Sequence, residues 1–253
     1  MVIGTYNVTV TDGNNCSFAT SASIIEPSAI AITITPTNIL CNGDADGAVD
    51  LTVSGGTPTY TFVWSTGVTA EDIIAPAGGT YAVTVTDAAS CSITASATVT
   101  EPTALTVTNT PTDASCSGAS DGSIALTVAG GSTTYAYNWS NGATTASVSG
   151  LFAGSYSATT TDANGCANVQ NVVITEPQLI TLTPSTVAAN CGAADGSVSV
   201  VATGTDAPFT YLWDDAGTSI SASVTGIAAA TYNVLVAGAS GCTVTAQAII
   251  GNN

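Results

Sequence analysis

Lysine, arginine and histidine are all absent from this sequence of 253 residues, whose 17 acidic residues give it a formal net charge of −17. Charged residues make up only 7% of the chain, against roughly a quarter in an ordinary soluble domain. Because nucleic-acid binding depends on Lys and Arg to neutralise phosphates, nucleic acid is excluded as a partner. Binding to anionic membranes is disfavoured for the same reason.

The same absences argue against catalysis. No histidine or lysine is available as a general base, and every cysteine is better explained as half of a disulfide than as a nucleophile. The carboxylate pairs Glu71-Asp72 and Asp214-Asp215 do not recur along the chain, so we interpret them as solvated loop residues. We therefore expect no enzyme activity and no cofactor.

Long apolar runs are also missing. No stretch of about 18 apolar residues exists to insert into a membrane, and the opening MVIGTYNVTV lacks the basic and apolar regions of a secretory signal. The chain begins inside a repeat, at the equivalent of Ala77 or Phe152. We expect it to be a window on a longer protein whose signal and anchor lie elsewhere.

What the chain does have is a repeat. The stretch from Gly150 to Cys166, GLFAGSYSATTTDANGC, recurs in four versions with a period of 75 or 76 residues, which indicates a tandem array. We predict three complete modules, 28–102, 103–177 and 178–253, preceded by the C-terminal part of a truncated module, 1–27. The recurring positions include Tyr6, Tyr81, Tyr156 and Tyr232; Cys16, Cys91, Cys166 and Cys242; Cys41, Cys116 and Cys191; Glu26-Pro27, Glu101-Pro102 and Glu176-Pro177; and Trp64, Trp139 and Trp213.

Each module has the pattern of a set of short strands. In DGSIALTVAGG, apolar residues alternate with small or polar ones, and Gly130-Gly131 supplies a turn. Ser140-Asn141-Gly142 predicts a hairpin, because Asn-Gly favours a type I′ turn. Six or seven such strands without helical periodicity predict an antiparallel β-sandwich. The segment from Leu151 to Tyr156 resembles the tyrosine corner of immunoglobulin-like sandwiches, so we expect an all-β array of small immunoglobulin-like modules.

One strand of each module carries three aromatic residues on one face. Such a row suits either a platform for stacking carbohydrates or the centre of a core. We favour the core, because a module of 75 residues has no other large side chains to bury. Together with the corner tyrosines, the predicted core aromatics are Trp64, Trp139, Trp213, Tyr81, Tyr156 and Tyr232.

Two cysteines in each module, in a chain rich in Thr, Ser, Ala and Gly, indicate disulfides and an oxidising, extracellular setting. Pairing within modules is favoured if four reversing strands separate the two cysteines, which places both at one end of the sandwich. The alternative pairs cysteines across each boundary. The first set is Cys41 with Cys91, Cys116 with Cys166 and Cys191 with Cys242; the second is Cys16 with Cys41, Cys91 with Cys116 and Cys166 with Cys191.

One loop offers oxygen ligands for a metal. In CNGDADG, Asp44 and Asp46 follow Cys41 at the short spacing that calcium takes from loops. The competing interpretation is a turn, because the sister copies keep only Asp121 and Asp195, each directly before a glycine. Calcium at Asp44 and Asp46 is the one metal ion that the sequence suggests.

The ordered motifs of residues 116–177 resemble the SprB repeat of Bacteroidetes cell-surface proteins. They run from C-x-G-x-x-DG through Y-x-Y-x-W-S-N-G, G-L-x-A-G-x-Y and T-D-A-N-G-C to T-E-P, and the other modules follow with local departures. The resemblance implies large, filamentous, surface-exposed adhesins, the best known of which serves gliding motility, exported by type IX secretion.

We therefore expect a structural and adhesive segment of an extracellular filament or stalk at the cell surface, with neighbouring repeats as its partners. Because proline stiffens each Glu-Pro boundary and no Gly/Ser linker separates the modules, the array should be a semi-rigid rod. Two alternatives stay open. One is a glycan-binding array, and the other is a self-assembling fibre subunit in which a neighbouring chain's strands complete residues 1–27.

Overall fold

The computed structural model describes residues 2–253, which contain 20 β-strands and no helix. The strands form one two-stranded sheet and six three-stranded sheets, and every pairing between named strands is antiparallel. The chain divides into two compact units, Met1–Ala104 and Leu105–Asn253.

The first unit consists of a hairpin and one sandwich. The hairpin pairs β1 (Gly4–Thr11) with β2 (Ser17–Ile24) along their whole length. Six further strands form two sheets, in the orders β3-β4-β6 and β5-β7-β8. Their bounds are β3 Ala31–Thr37, β4 Ala48–Ser54, β5 Thr61–Trp64, β6 Ile73–Ile74, β7 Gly79–Thr86 and β8 Ser92–Val99. These six strands are called the first sandwich below.

The second unit contains two more sandwiches of six strands each. The second sandwich consists of β9 Thr106–Thr112, β10 Gly122–Ala129, β11 Ala136–Trp139, β12 Ser147–Leu151, β13 Gly154–Thr161 and β14 Ala167–Ile174. The third consists of β15 Thr181–Val187, β16 Gly196–Thr203, β17 Thr210–Trp213, β18 Ser223–Ile227, β19 Thr231–Ala237 and β20 Thr243–Ile249. In the second sandwich, β10 is the central strand of one sheet and β13 is the central strand of the other. In the third sandwich, β16 and β19 hold the same central positions.

The alternating residues of these strands build a separate core in each sandwich. Along β10, Ile124 and Leu126 are buried while the residues that follow them are exposed, as the period of two predicts. Each core contains one tryptophan that is almost completely buried: Trp64, Trp139 and Trp213 are 2%, 2% and 1% exposed. The predicted all-β array of antiparallel sandwiches is therefore the observed fold.

A tyrosine corner is present in every copy of the repeat. The hydroxyl of Tyr156, a half-buried residue against the second core, donates a hydrogen bond of 3.0 Å to the carbonyl of Phe152. The same bond, from a tyrosine to the carbonyl four residues earlier, fixes the start of the equivalent strands. It joins Tyr6 to Val2, Tyr81 to Ala77 and Tyr232 to Ala228.

The predicted hairpin at Asn141-Gly142 is wrong. A turn does form there, since the amide of Gly142 donates to the carbonyl of Trp139 at 2.9 Å. The flanking strands, however, belong to different sheets: β11 pairs with β13, and β12 pairs with β10. The turn carries the chain from one sheet to the other instead of folding it back onto itself.

Each sandwich has two ends that hold different parts of the repeat. In the second sandwich, the Glu-Pro end holds residues 113–118 and 175–177, where the amide of Ala114 donates to the carbonyl of Thr175. The aspartate end holds residues 130–132 and 162–166, where the amide of Ser132 donates to Asp162. Strand β14 runs from the aspartate end to the Glu-Pro end.

Candidate functional site: the junction between successive repeats

Two carboxylates hold the loop that carries the first cysteine of the second sandwich. On one side Asp121 accepts hydrogen bonds from the amide and hydroxyl of Ser115, and the hydroxyl bond holds the pKa of Asp121 below its usual value. On the other side the amide of Gly118 donates to Glu176 at 2.6 Å. The loop is therefore fixed on both sides of Cys116.

The same arrangement recurs in the first sandwich. Asp46 accepts from the amide of Leu40 at 3.2 Å, and the amide of Gly43 donates to Glu101 at 2.6 Å. The Glu-Pro pair thus does more than end the repeat, because its carboxylate fixes the Cys-x-Gly loop. Sequence reasoning missed this role, although the constant spacing of the cysteine, the glycine and the Glu-Pro pair is a signal for it.

At the opposite end, the turn aspartate ties two loops together. Asp162 accepts the amide of Ser132 from the β10–β11 loop, and the amides of Asn164 and Cys166 from its own turn. These bonds, that from Ser132 first, hold the pKa of Asp162 below its usual value. Asp87 does the same with the amides of Thr57, Ala89 and Cys91.

In the third sandwich, the aspartate comes from the other loop. Gly238 occupies the turn position, but Asp206, at the position of Ser132, accepts the amide of Ser240 at 2.8 Å. A Cβ on Gly238 would lie 2.0 Å from the Oδ2 of Asp206, so the carboxylate fills the space of the missing side chain. The absence of an aspartate at position 238 is therefore compensated by Asp206 of the facing loop.

A disulfide joins the second and third sandwiches. Cys116, at the Glu-Pro end of one, is bonded to Cys242, at the aspartate end of the next, with their Cα atoms 5.5 Å apart. Cys41 and Cys166 also take part in disulfide bonds. Cys16, Cys91 and Cys191 are free and exposed in the described chain.

Both predicted sets of pairings are therefore wrong, since Cys116 bonds to neither Cys166 nor Cys91. In the second sandwich, Cys116 and Cys166 lie at opposite ends of β14, whose eight residues span roughly 26 Å. A disulfide requires Cα atoms about 4.4–6.8 Å apart, so no bridge can form inside the module. The parity argument failed because the chain changes sheets at Asn141-Gly142. Strands β11 and β12 therefore run in the same direction, and the chain makes three passes along the sandwich between the two cysteines instead of four.

Further contacts accompany the bridge at this junction. The amide of Gln178, directly after Glu176-Pro177, donates to the hydroxyl of Thr205 at 2.8 Å. The Sγ of Cys242 lies 3.2 Å from the carbonyl oxygen of Ser115. Two cavities of about 310 Å³ flank the connection, one of them lined by Cys116, Leu179 and Cys242. The junction thus combines a covalent bond, a hydrogen bond and a proline-stiffened connection.

Outside the junction, we compared the predicted core tryptophans and the predicted calcium ligands with the structure. The indole N–H groups of Trp64, Trp139 and Trp213 donate to the carbonyls of Ala70, Thr145 and Ser221, so the buried rings are not available for stacking against a sugar. Residues 2–253 contain no group of three or more acidic or cysteine side chains placed to hold a metal ion. Calcium binding at Asp44 and Asp46 stays a prediction. Within the same residues, no helix has the length and apolar character needed to cross a membrane.

Comparison with solved structures finds multi-domain chains of low sequence identity. The chain is similar to the N-terminal eight Ig domains of Down Syndrome Cell Adhesion Molecule isoform 1.30.30, with 13% identity and a TM-score of 0.45 over 98% of this chain and 43% of that one. It is also similar to a tetra-tandem repeat in the extending region of a large adhesion protein, with 16% identity and a TM-score of 0.31 over 97% and 81%. No curated protein matches the chain.

The fold and the junction define a tandem array of immunoglobulin-like β-sandwiches. The family model described as SprB repeat matches this chain three times, at residues 33–69, 108–144 and 180–218. Each match lies in a different sandwich, so the predicted resemblance to the SprB repeat is confirmed for all three.

Proposed function

We propose that this chain is a stiff, extracellular, adhesive and structural segment of a surface filament or stalk, in which a disulfide between successive repeats clamps the junction of the second and third sandwiches. The observation that carries the proposal is the bond between Cys116 and Cys242, which joins two sandwiches and not two strands of one. A disulfide within a domain stabilises that domain, whereas one between domains removes their relative freedom. Export by type IX secretion and a part in gliding motility belong to the same proposal.

The clamp supports a role in reach. Inter-domain contacts ordinarily leave domains free to move unless the interface is large. Here the Glu176-Pro177 connection is short, and its carboxylate holds the Cys-x-Gly loop against the boundary. With Cys116 fixed in this way, the bridge to Cys242 sets both the spacing and the orientation of the next repeat. Stiffness therefore does not depend on a wide apolar interface.

The test compares the full chain with the double variant Cys116→Ser/Cys242→Ser. Hydrogen exchange at the amides of Gln178 and Gly118 should accelerate in the variant, while exchange at the β10 and β16 amides stays unchanged. Small-angle X-ray scattering should show a broader distribution of dimensions. Cys191→Ser, which removes a free thiol, is the matched control and should change neither. Unchanged exchange and scattering in the double variant would show that the bridge is not the clamp.

The location is tested on intact cells that carry the chain. External proteinase K should remove its repeats without lysis, and the free thiols should react with a membrane-impermeant maleimide. Protection from both reagents until the cells are lysed would overturn the extracellular assignment while leaving the junction geometry untouched.

A further inference from the structure

Strand β14 is a long edge strand whose outer side has no pairing partner. In the sheet order β11-β13-β14 it is hydrogen-bonded only to β13, and its eight residues, ANVQNVVI, include neither a charged residue nor a proline. The opposite edge of the same sheet, β11, has only four residues. An edge such as β14 presents a row of unpaired N–H and C=O groups to which another strand can bind.

The outward backbone groups of β14 follow from a hydrogen bond just before the strand begins. The amide of Asp162 donates to the carbonyl of Cys166, so the backbone groups of these two residues face each other. Because inward and outward residues alternate along an antiparallel strand, the backbone groups of Val169, Asn171 and Val173 point away from β13. Within residues 2–253, no other strand pairs with them.

The neighbouring edge strand, β9, is blocked by a proline. It belongs to the other sheet and lies beside β14 across the gap between the sheets. The amide of Leu126 in β10 donates to Ala146, away from β9, so the same alternation turns the backbone of Pro111 outward. Proline has no N–H, and β9 therefore lacks a donor that a further strand would need. Pro36 and Pro184 hold the same position in β3 and β15, whereas β14 has no such protection.

The outer face of β14 is apolar and symmetric. Val169 and Val173 are 58% and 59% exposed, with the exposed Asn171 between them. The equivalent positions are both threonine in β8, and Thr245 and Ile249 in β20. The pattern Val-x-Asn-x-Val is the same in both directions along the strand. Two antiparallel copies centred on Asn171 therefore place valine opposite valine and asparagine opposite asparagine.

Charge limits the surfaces at which two copies of this chain can meet. Each copy has a formal net charge of −17 and no lysine, arginine or histidine to offset an approaching carboxylate. Contact between copies is therefore least opposed at an uncharged surface, and β14 supplies one that is eight residues long. The repulsion between the remaining charges is screened by salt, over a Debye length of about 8 Å at physiological ionic strength.

We propose that β14 is the docking site for a second copy of this chain, whose own β14 adds to the edge in antiparallel orientation. The two three-stranded sheets then become one sheet of six strands around a twofold axis. Each Val169 lies opposite Val173 of the other copy, and the three central residue pairs exchange about six main-chain hydrogen bonds. The contact goes beyond the proposed clamp, because it joins two chains side by side and uses no cysteine.

The small size of the contact determines its strength. One pair of strands buries less than the roughly 1,200 Å² at which standard interfaces begin, so the association is weak and reversible. We therefore expect a dimer that forms at high protein concentration and dissociates on dilution.

The test measures self-association of the full chain by sedimentation equilibrium up to about 1 mM. Capping the free thiols with iodoacetamide first prevents disulfide-linked dimers. A monomer–dimer equilibrium is expected, and sodium chloride should shift it towards the dimer because salt screens the repulsion between copies. As the dimer forms, hydrogen exchange at the amides of Val169, Asn171 and Val173 should slow severalfold. Exchange at the amide of Gln170, which faces β13, is the internal control and should change little.

Three variants identify the surface. Val169→Lys places a charge at the edge and should weaken the dimer about tenfold, although it lowers the repulsion between copies. Val173→Lys, which changes the other member of the same pair, should act alike and replaces the first variant if that fails to fold. Thr94→Lys, at the equivalent position of β8, makes the same change in charge and should leave the dimer intact.

Three results would overturn the inference. The first is a chain that stays monomeric at every protein and salt concentration. The second is a dimer that persists in both valine variants, and the third is a dimer that Thr94→Lys weakens as much as Val169→Lys does.

Discussion

Each repeat places one carboxylate between the two loops of its aspartate end, and either loop can supply it. Asp87 and Asp162 come from the turn before the last strand, whereas Asp206 comes from the loop on the other side. What is retained is therefore the acceptor in the space between the loops and not the residue at a given position of the repeat.

This exchange predicts a strong coupling between two substitutions in the third repeat. Gly238→Asp alone should destabilise the repeat, because its side chain enters the space that the Asp206 carboxylate fills. The double variant Gly238→Asp/Asp206→Ser recreates the arrangement of Asp162 and Ser132 and should recover most of the loss. Urea unfolding of the full chain measures both. Equal destabilisation in the single and double variants would contradict the exchange, since contacting residues are expected to be non-additive.

The lowered pKa of Asp162 predicts how its contribution depends on pH. Because the pKa in the folded state lies below its ordinary value of about 3.9, the ionised carboxylate stabilises the fold above that value and loses its effect as pH falls through the folded-state pKa. The difference in melting temperature between the parent chain and Asp162→Asn should therefore be constant from pH 7 to pH 5 and shrink below about pH 4.

A matched comparison separates this effect from the general release of charge repulsion on acidification. Asp50→Asn changes the charge equally on an exposed face of β4. The melting-temperature gap for Asp162→Asn should shrink in acid relative to the gap for Asp50→Asn. A melting-temperature gap for Asp162→Asn that widens in acid would refute the assigned sign.

The turn aspartates can be recognised from the sequence, whereas Asp206 cannot. Asp87 and Asp162 recur at one spacing before a cysteine, which a repeat comparison detects. Asp206 contacts a turn 34 residues away, and its position in the other repeats holds a residue of a different type. Only the tertiary placement of the two loops brings these positions together.

At the scale of strands, the tryptophan of β11 anchors the change of sheet. The Trp139 indole is buried in the core while its N–H donates to the Thr145 carbonyl at 2.8 Å. It therefore fixes the segment that leads from β11 to β12 as well as filling the interior.

Trp139→Ala should cost about 3–5 kcal/mol of the free energy of unfolding, because it removes a buried ring and the bond to Thr145. Trp139→Phe should cost less, since much of the ring volume is kept. Urea unfolding monitored by circular dichroism measures both, and Tyr211 in β17 serves as a partly buried comparison through Tyr211→Ala. Similar small losses for all three variants would show that the tryptophan does not anchor the segment.

The strands themselves were predictable, and their partners were not. The alternation in β10 and the aromatic row of β11 identified both as strands of one sandwich. Asn141-Gly142 forms a turn in either topology, so local sequence does not determine whether the next strand returns to the same sheet. That choice depends on which sheet covers the apolar face of β12.

At the scale of the whole molecule, the missing cations govern behaviour in acid. Protonation of the 17 acidic residues removes a net charge of −17, and no lysine, arginine or histidine side chain can replace it with positive charge. Since net charge keeps proteins soluble and monomeric, solubility should fall below about pH 4 and should not recover at lower pH. Light scattering between pH 7 and pH 2 tests this, and recovery near pH 2 would contradict it.

The disulfide pattern also belongs to this scale. The cysteine count and spacing indicated bridges, and bridges are present, but their partners depend on which end of a sandwich each cysteine occupies. That depends on the direction of every intervening strand. A single change of sheet, repeated in each module, was enough to reverse the inference.

The bridge between Cys116 and Cys242 determines how a pulling force passes along the chain. A pulling force that enters at Leu105 reaches Cys116 through β9, crosses the sulfur bond and leaves through β20. The bonded cysteines are 126 positions apart, and the chain between them is relieved of the load. That segment would otherwise lengthen by about 400 Å if it were unravelled. A chain pulled from both ends would stretch two short strands before either repeat could be drawn out.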